Sequence, residues 1–471
     1  MEKIIADFTA NCALPPRAHF IGLGGIGMSG LAQALLSRGW QISGSDLNDS
    51  ALLQHLRNLG AKVAIGHDRE NLPVVDWVII SDAIQPDNPE LLAAKEQGIP
   101  VLRRSQLLGK LAASRRTIAV AGTHGKTTTS SMLASILESA GLAPSFFLGG
   151  EYPPLGGNAR LGEGNWAVVE ACEAFASFLD LTPEIALITN IEPEHLDYHG
   201  SEAALYQAFE QFLRQVKPQG CAVVALDSPL PLQLARRTGV NNIVGFALEE
   251  ARTELPGENM YYADDIKFSG LGSEFAVLRG GKPWGQIQLQ IPGRHNIANA
   301  LAATAAAALV GVAPEVIAGA LAEFRGVKRR FQIISRVGGI IIVDDYAHHP
   351  TELAAVLSAV RQHFSGRLLA IFQPHLYSRT KYFLEDFARV LASADLAWVT
   401  EIYKAREAPL PGISGEQIAE VAKKKYAGKV EYLPFNELVA AVLPQIKTGD
   451  LVITLGAGNV DELARGLAAA L

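Results

Sequence analysis

Hydrophobic positions along this chain fall into short runs separated by longer amphipathic stretches, and most runs end at a glycine or a polar residue. That alternation predicts strands and helices in turn, and hence parallel sheets with helices on their faces. Arg17-Ala-His-Phe-Ile-Gly reads as a strand, the glycines through Gly27 as a turn, and Met28 onward as a helix. A second strand follows at Gln41-Ile-Ser-Gly-Ser-Asp46, and the run from Val74 to Ile80 leads to Ser81. Residues 1–109 thus form one α/β domain. A second cycle opens with Arg116–Ala121, a turn from Gly122 to Gly125 and a helix from Lys126. Further strands are predicted at Trp166–Glu170 and Ile185–Thr189. Between Met260 and Ile291 the alternation and glycine-rich turns read as an antiparallel excursion. An alanine-rich helix, Asn296–Val310, closes this domain, 110–326. The third, 327–471, carries strands at Ile340–Val343, Arg367–Phe372, Leu396–Thr400 and Leu451–Leu455. The predicted fold class is α/β with three domains. The first and last are Rossmann-like, and the central one is a P-loop-type domain with a mostly parallel sheet. Open α/β sheets bind ligands at the carboxyl ends of their strands, so three such rims imply a shared site.

Composition narrows the classes. The 471 residues are 49% hydrophobic and 19% charged, as in ordinary globular enzymes. A net charge of -7 argues against a nucleic-acid or membrane-surface binder. The opening residues, MEKIIADFTANC, carry charges where a signal peptide needs an apolar core, and no run is long enough for a membrane span. Cys12, Cys172 and Cys221 are odd in number and widely spaced, which suits a reducing cytoplasm and neither a disulfide framework nor a paired-cysteine metal site.

The strongest chemical signal is Val120-Ala-Gly-Thr-His-Gly-Lys-Thr-Thr-Thr129. Backbone N–H groups of Gly122, Thr123, His124 and Gly125 can surround phosphate oxygens, and the following helix adds its positive end. Lys126 is placed to bridge terminal phosphates, and Thr127 to hold magnesium, with Thr128 beside it. The strict phosphate-loop pattern requires a glycine where Val120 stands, so this loop is a shorter variant. A plain glycine-rich turn with a surface lysine is the competing reading.

Gly22, Gly24 and Gly27 form a second glycine loop, with Asp46 ending the next strand. Taken alone it favours a nicotinamide-dependent dehydrogenase. A nucleotide diphosphate-sugar would satisfy the same loop, as would simple packing of helix on strand. A dehydrogenase has no need of the second phosphate loop; two such loops suggest two phosphorylated ligands. Glu170 ends one predicted strand of the middle domain; Glu192, Glu194, His195 and Asp197 follow another. Oxygen ligands with one imidazole suit magnesium, and the strand ends bring Glu170 and His195 to the rim of Lys126. Glu192 and Asp197 fit a solvated loop equally well.

Together these motifs resemble the Mur ligases of peptidoglycan synthesis. The resemblance spans nearly the whole chain. It rests on Gly22-Leu-Gly-Gly-Ile-Gly-Met-Ser-Gly, Gly122-Thr-His-Gly-Lys-Thr-Thr-Thr, Thr189-Asn-Ile-Glu-Pro-Glu-His-Leu-Asp and Pro292-Gly-Arg-His-Asn-Ile-Ala-Asn. It continues through Val327-Lys-Arg-Arg-Phe, Asp344-Asp-Tyr-Ala-His-His-Pro-Thr-Glu, Phe372-Gln-Pro-His-Leu-Tyr-Ser-Arg-Thr and Thr400-Glu-Ile-Tyr-Lys-Ala-Arg-Glu. It implies a cytoplasmic ATP-dependent and magnesium-dependent ligase of the alanine-adding branch, acting on UDP-N-acetylmuramate and L-alanine, as a monomer or weak homodimer. By the same resemblance, the backbone of Gly24, Gly25, Ile26, Gly27, Met28 and Ser29 faces the diphosphate, with Asp46 and Ser81 near the uridine. Asn296 and Asn299 approach adenine, Arg330 the ATP phosphates, and Asp345 the ribose, with Tyr346 alongside. His375, Arg379 and His348 serve the amino acid. Lys126, Glu170, His195 and Arg330 carry catalysis, and Thr127, Glu170 and His195 hold magnesium.

Two departures bear on this. Leu205-Tyr-Gln-Ala-Phe-Glu-Gln-Phe lacks the carbamylated lysine of most members, as does the alanine-adding branch, leaving Glu210 as a candidate substitute charge. Ser81-Asp82 replaces two serines, so Asp82 is expected to point away from a diphosphate. His195, His348, His349 and His375 are all candidates to take a proton from the incoming amine. A muropeptide-recycling ligase of the same family and a catalytically silent UDP-sugar sensor are the other readings.

Overall fold

The computed structural model describes residues 15–194, 196–250, 255–405, 407–426 and 428–471. The first sheet contains β1 (Arg17–Ile21), β2 (Gln41–Asp46), β3 (Lys62–Ile65), β4 (Trp77–Ile80) and β5 (Val101–Arg103), ordered β3-β2-β1-β4-β5. Every pairing in it is parallel. The order reverses at β1, so the glycine loop that follows β1 opens into the crevice beside β4. The helix after it starts at Ile26, two residues before the expected Met28, and runs to Leu36. The apolar run from Val74 predicted a longer strand. Pairing begins only at Trp77 because Asp76 accepts the backbone N–H of Arg17 at 2.9 Å, and Val74 is left exposed.

The second sheet contains β6 (Arg116–Ala121), β7 (Ser145–Tyr152), β8 (Gly157–Arg160), β9 (Trp166–Glu170), β10 (Ile185–Ile188), β11 (Cys221–Ala225), β12 (Asn242–Ala247), β13 (Met260–Ser269), β14 (Gly272–Arg279) and β15 (Lys282–Leu289). Its order is β15-β14-β13-β12-β11-β10-β6-β9-β7-β8. Strands β9, β6, β10, β11 and β12 run parallel, and β8 returns antiparallel on β7. The two-residue links at Gly270-Leu271 and Gly280-Gly281 are too short for a crossover, so β13–β15 form the expected antiparallel excursion. The third sheet contains β16 (Gln332–Val337), β17 (Ile340–Asp345), β18 (Leu368–Phe372), β19 (Leu396–Val399), β20 (Val430–Tyr432) and β21 (Leu451–Leu455), ordered β16-β17-β21-β18-β19-β20. Only β16 pairs antiparallel.

The chain makes two compact units. One takes the residues through Asp264 with Ala276–Ile287 and Ala298–Leu321; the other takes Asp265–Phe275, Gln288–Ile297 and Ala322–Leu471. In the first unit a single apolar cluster joins residues of both its sheets, from Phe20 and Leu35 through Leu108 to Val169 and Phe212. Phe178 stacks on Phe212 at 4.9 Å and meets Phe209 edge-on at 5.3 Å. These rings bind the helix Glu202–Arg214 to the segment Ala174–Asp180 and so brace the residues that follow β9. Such aromatic pairs each contribute about 1 kcal/mol beyond burial. In the second unit one cluster centred on Val343, Ala370 and Ile453 and another centred on Ile342, Ile371 and Val452 cover opposite faces of the sheet. This is the outcome of period-2 alternation along strands buried on both sides.

Candidate active site

The phosphate loop connects β6 to the helix Lys126–Ser139. Gly122 and Gly125 have φ of +129° and +80°, values that an L side chain rarely adopts. Space is also lacking: a Cβ on Gly122 would lie 2.2 Å from Thr189 Oγ1, and one on Gly125 would lie 2.4 Å from Asn299 Oδ1. The residues after β10 hold the loop. Asn190 accepts the N–H of Thr123 through its carbonyl (3.1 Å) and that of His124 through its side chain (2.8 Å). Thr189 and Asn190 both donate to the His124 carbonyl, at 2.6 and 3.0 Å. Thr123 and Glu192 exchange a further pair of bonds, and His124 Nε2 lies 3.3 Å from Glu192. The loop is therefore a preformed cradle, but the N–H groups of Thr123 and His124, expected to face a phosphate, are engaged by Asn190 instead.

Lys126 folds back over this cradle. Its ammonium donates to the carbonyls of Gly122 (2.6 Å) and Thr123 (2.9 Å) and pairs with Glu173 at 3.0 Å. Burial alone would lower its pKa. The carboxylates of Glu173, Glu194 and Glu170 more than offset that, and the pKa is raised. Lys126 is thus a fixed cation. Burial, with Glu173 next, pushes the Cys172 thiol up to about 12, so it stays protonated at neutral pH. The Thr127 hydroxyl, one residue into the helix, has no hydrogen-bond partner among the described residues. Glu170 accepts the Gly149 N–H at 2.7 Å through one oxygen. A Cβ on Gly149 would fall 2.1 Å from the other, so a larger residue there would displace the Glu170 carboxylate from this position. A hydroxyl and a carboxylate oxygen are donors that fit magnesium. His195 lies outside the described residues, as does the side chain of Asp197.

Glu210 does not reach this region. Its carboxylate pairs with Arg214 one turn along its own helix (3.2 Å) and with Arg237 (3.6 Å). Glu173, three residues beyond Glu170, is the carboxylate that meets Lys126. The signal that would have found it is its place in Glu170-Ala-Cys-Glu173, directly after a strand end on the same rim.

A cavity of about 350 Å³ opens beside Glu170, within the range of small-ligand sites. It is also lined by Gly25–Met28 of the first glycine loop and by Ser81. Gly25 caps the helix Ile26–Leu36 without a side-chain bond, so the N–H groups of its first turn face outward. Ser29 differs: its N–H already bonds the Gly25 carbonyl at 2.8 Å, and its hydroxyl bonds Gly25 and Ile26. Asp46 accepts the Gly24 N–H at 2.8 Å and so braces the loop. Gly22 packs close to Ser81, joining the ends of β1 and β4.

The second unit carries its own cluster at the ends of β17, β18 and β19. Both carboxylate oxygens of Asp345 accept backbone N–H groups, from Phe331 (2.6 Å) and Ala347 (2.7 Å). Burial nonetheless raises its pKa to about 6, against the pull of Arg330. Arg330 lies over the Tyr346 ring at 5.0 Å and 3.9 Å from Glu352. His348 Nδ1 lies 2.9 Å from the Tyr346 carbonyl, which can only accept, so the neutral ring keeps its lone pair on Nε2. The rings of His348 and His375 meet at 5.8 Å, and Arg379 donates to His375 Nδ1 at 3.2 Å. Tyr403, which sequence reading left without a role, stacks on His375 at 5.7 Å. Asn296 donates to the Pro292 carbonyl at 2.7 Å, while Asn299, in the first unit, receives the Thr129 hydroxyl at 3.2 Å beneath Gly125.

Three family models match the chain: "Mur ligase family, catalytic domain" over residues 17–116, "Mur ligase middle domain" over 120–307 and "Mur ligase, glutamate ligase domain" over 329–458. The chain belongs to the Mur ligase family. Among the relatives of this Mur ligase, the UDP-N-acetylmuramate--L-alanine ligase of Desulforamulus reducens is 43% identical over 464 residues, covering 96% of this chain and 97% of that one. The protein of the same description from Anaeromyxobacter sp. is 41% identical over 449 residues, covering 95% and 96%. The crystal structure of the UDP-N-acetylmuramate-alanine ligase of Thermotoga maritima is 29% identical and superposes with a TM-score of 0.81, covering 96% of this chain and 98% of that one. The three-domain α/β layout of the Mur ligases is therefore the layout of this chain.

Proposed function

We infer that this Mur ligase joins L-alanine to the carboxylate of UDP-N-acetylmuramate at the expense of ATP, through an acyl phosphate, in the building of peptidoglycan precursors. The observation that carries the reading is the cavity between Gly25–Met28 and Glu170, because it runs from one phosphate-binding loop to the rim of the other. The full-length likeness to alanine-adding relatives supports the same choice over the recycling ligase and the dehydrogenase.

Residues 1–109 take the UDP-sugar, 110–326 take ATP, and 327–471 take the amino acid and the remaining ATP contacts. The first glycine loop, which begins at Gly22, takes the UDP-sugar; of the segment Gly24–Ser29 the first helical turn, Ile26–Met28, faces the diphosphate, because the Gly24 and Ser29 N–H groups are already bonded, with Asp46 and Ser81 toward the uridine. The loop from Gly122 through Thr123 and His124 to Gly125, with the start of the next helix including Thr128, receives the ATP phosphates; the N–H groups of Thr123 and His124 hold the loop to Asn190 and leave the phosphates to the rest of it. Asn296 and Asn299 serve adenine, Asp345 and Tyr346 the ribose side, and Arg330 the phosphates.

The muramate carboxylate attacks the γ-phosphorus in line, giving ADP and the acyl phosphate. Lys126 and Arg330 spread the charge that develops on the transferring group. Thr127 and Glu170, with His195, would hold magnesium, which when bound neutralises phosphate oxygens. The alanine amine, once deprotonated, attacks the acyl carbon, and inorganic phosphate leaves. His375 and Arg379 orient the amino acid, and the Nε2 lone pair of His348 suits it to take the amine proton. The chain acts in the cytoplasm as a monomer or weak homodimer. No described helix is long and apolar enough to cross a membrane.

Phosphate release tests the reading. UDP-N-acetylmuramate, Mg-ATP and L-alanine together should release one phosphate per ligated product, with glycine and serine slower and a tripeptide inert. Faster turnover with the tripeptide would assign the recycling reaction instead.

A further inference from the structure

The cavity is also lined by a cation, Arg104. Arg104 begins the helix Arg104–Ala113 and lines the cavity together with the first glycine loop. It lies against the first turn of the helix Ile26–Leu36: a Cβ built on Gly27 would sit 3.2 Å from Arg104 Cδ and 3.3 Å from Nη1. Its neighbour Arg103 has an acidic partner, Asp180, at 3.7 Å. The Arg104 guanidinium has no hydrogen bond or ion pair among the described residues. A guanidinium with no counter-charge, held against the positive end of a helix, is electrostatically unfavourable on its own. Both features become favourable together when an anion lies between them. Arginine's planar fork also matches two oxygens of a phosphate at once.

We propose that Arg104 is a substrate-binding residue that clamps the diphosphate of the nucleotide sugar against the N–H groups of Ile26, Gly27 and Met28. This rests on the reading of the first domain as the UDP-sugar site and adds the side chain that completes it. The helix turn supplies directional N–H donors but no full charge, and Arg104 supplies the charge. The position beside Gly27, and not beside Glu170, assigns it to the diphosphate and not to the sugar-acid carboxylate.

Isothermal titration of UMP, UDP and UDP-N-acetylmuramate onto the full chain, wild type and Arg104→Met, separates the possibilities. The substitution keeps most of the apolar stem, and an unchanged affinity for ADP together with an unchanged thermal midpoint shows that the variant is folded. The expected result is a loss of about tenfold to a hundredfold for UDP and the UDP-sugar alike, with little change for UMP. Arg104→Lys should recover only part of it, because an ammonium lacks the two-oxygen fork. Equal binding by variant and wild type overturns the proposal. A loss confined to the UDP-sugar also overturns it, since that would put Arg104 on the sugar or its carboxylate. Failure of the wild type to bind either ligand would instead remove the underlying reading of the first domain.

Discussion

The ammonium of Lys126 lies 3.0 Å from a carboxylate oxygen of Glu173, whose side chain is 1% exposed. Before any triphosphate arrives, the phosphate-loop lysine is already held by a buried counter-charge and two loop carbonyls. Under the proposed function, an incoming phosphate would compete with Glu173 for the same cation.

Lys126→Ala should abolish ligation, with a fall in kcat of at least about a thousandfold, the scale on which a charge-stabilising donor is lost. Affinity for UDP-N-acetylmuramate, measured by titration, should stay within about threefold, because that ligand is assigned to the other loop. Parallel loss of both would count against separate sites.

Glu173→Gln leaves a buried lysine without its partner. The ligand-free protein should lose about 3 kcal/mol or more of stability, the scale for breaking a buried pair. Mg-ATP then supplies the missing negative charge, so the rise in Tm on adding it should be larger in the variant than in the wild type. An equal rise in the two proteins would mean that Glu173 and the triphosphate do not share Lys126.

Gly125→Ala forces a side chain into φ +80° and brings its Cβ within 2.4 Å of Asn299 Oδ1 unless Asn299 moves. A cost of about 2 kcal/mol is expected from the strained backbone and the displaced amide. The KM for ATP should rise with it, while that for the UDP-sugar stays put. Denaturant midpoints and the two KM values check this; wild-type values throughout would show that the loop does not need its glycine.

His295, at the start of the helix Arg294–Val310, has its pKa lowered to about 4, chiefly by burial and with Arg330 adding to it against Glu352. Its folded pKa lies below the ordinary value of 6.5. The unfolded chain therefore binds the extra proton first as pH falls. The stability contributed by neutral His295 is complete above about pH 6.5 and is lost progressively toward pH 4, by an amount on the order of 1–3 kcal/mol. Urea unfolding between pH 7 and 4 should show that slope, and His295→Asn should flatten it. An unchanged slope in the variant would place the acid sensitivity elsewhere.

Much of the architecture was legible from local pattern. Strands β1, β2, β6 and β9 begin and end where the apolar runs do, since each run is bounded by a glycine turn or a polar strand end. Other strands were missed. Short edge strands such as β5 (Val101–Arg103) and β20 (Val430–Tyr432) have too few residues to show a period, and neighbouring strands supply their pairing. Glu210 shows the limit of reading charge alone: its sequence position is suggestive, yet its helix turns the carboxylate toward Arg214 and Arg237.

The linear chain by itself determined the alternation of strand and helix, both glycine loops and the lysine at the mouth of one of them. These depend on φ preferences, side-chain period and helix ends, which act over a few residues. Tertiary structure alone decided that Glu173 neutralises Lys126, that Asn299 lies beneath Gly125, that Gly149 makes room for Glu170, and that Arg104 faces Gly27. Thr129 and Asn299 are joined across 170 positions of sequence. No local preference reaches so far; such pairs exist only because burying the sheets and helices against one another brings their carboxyl-end loops to a common rim.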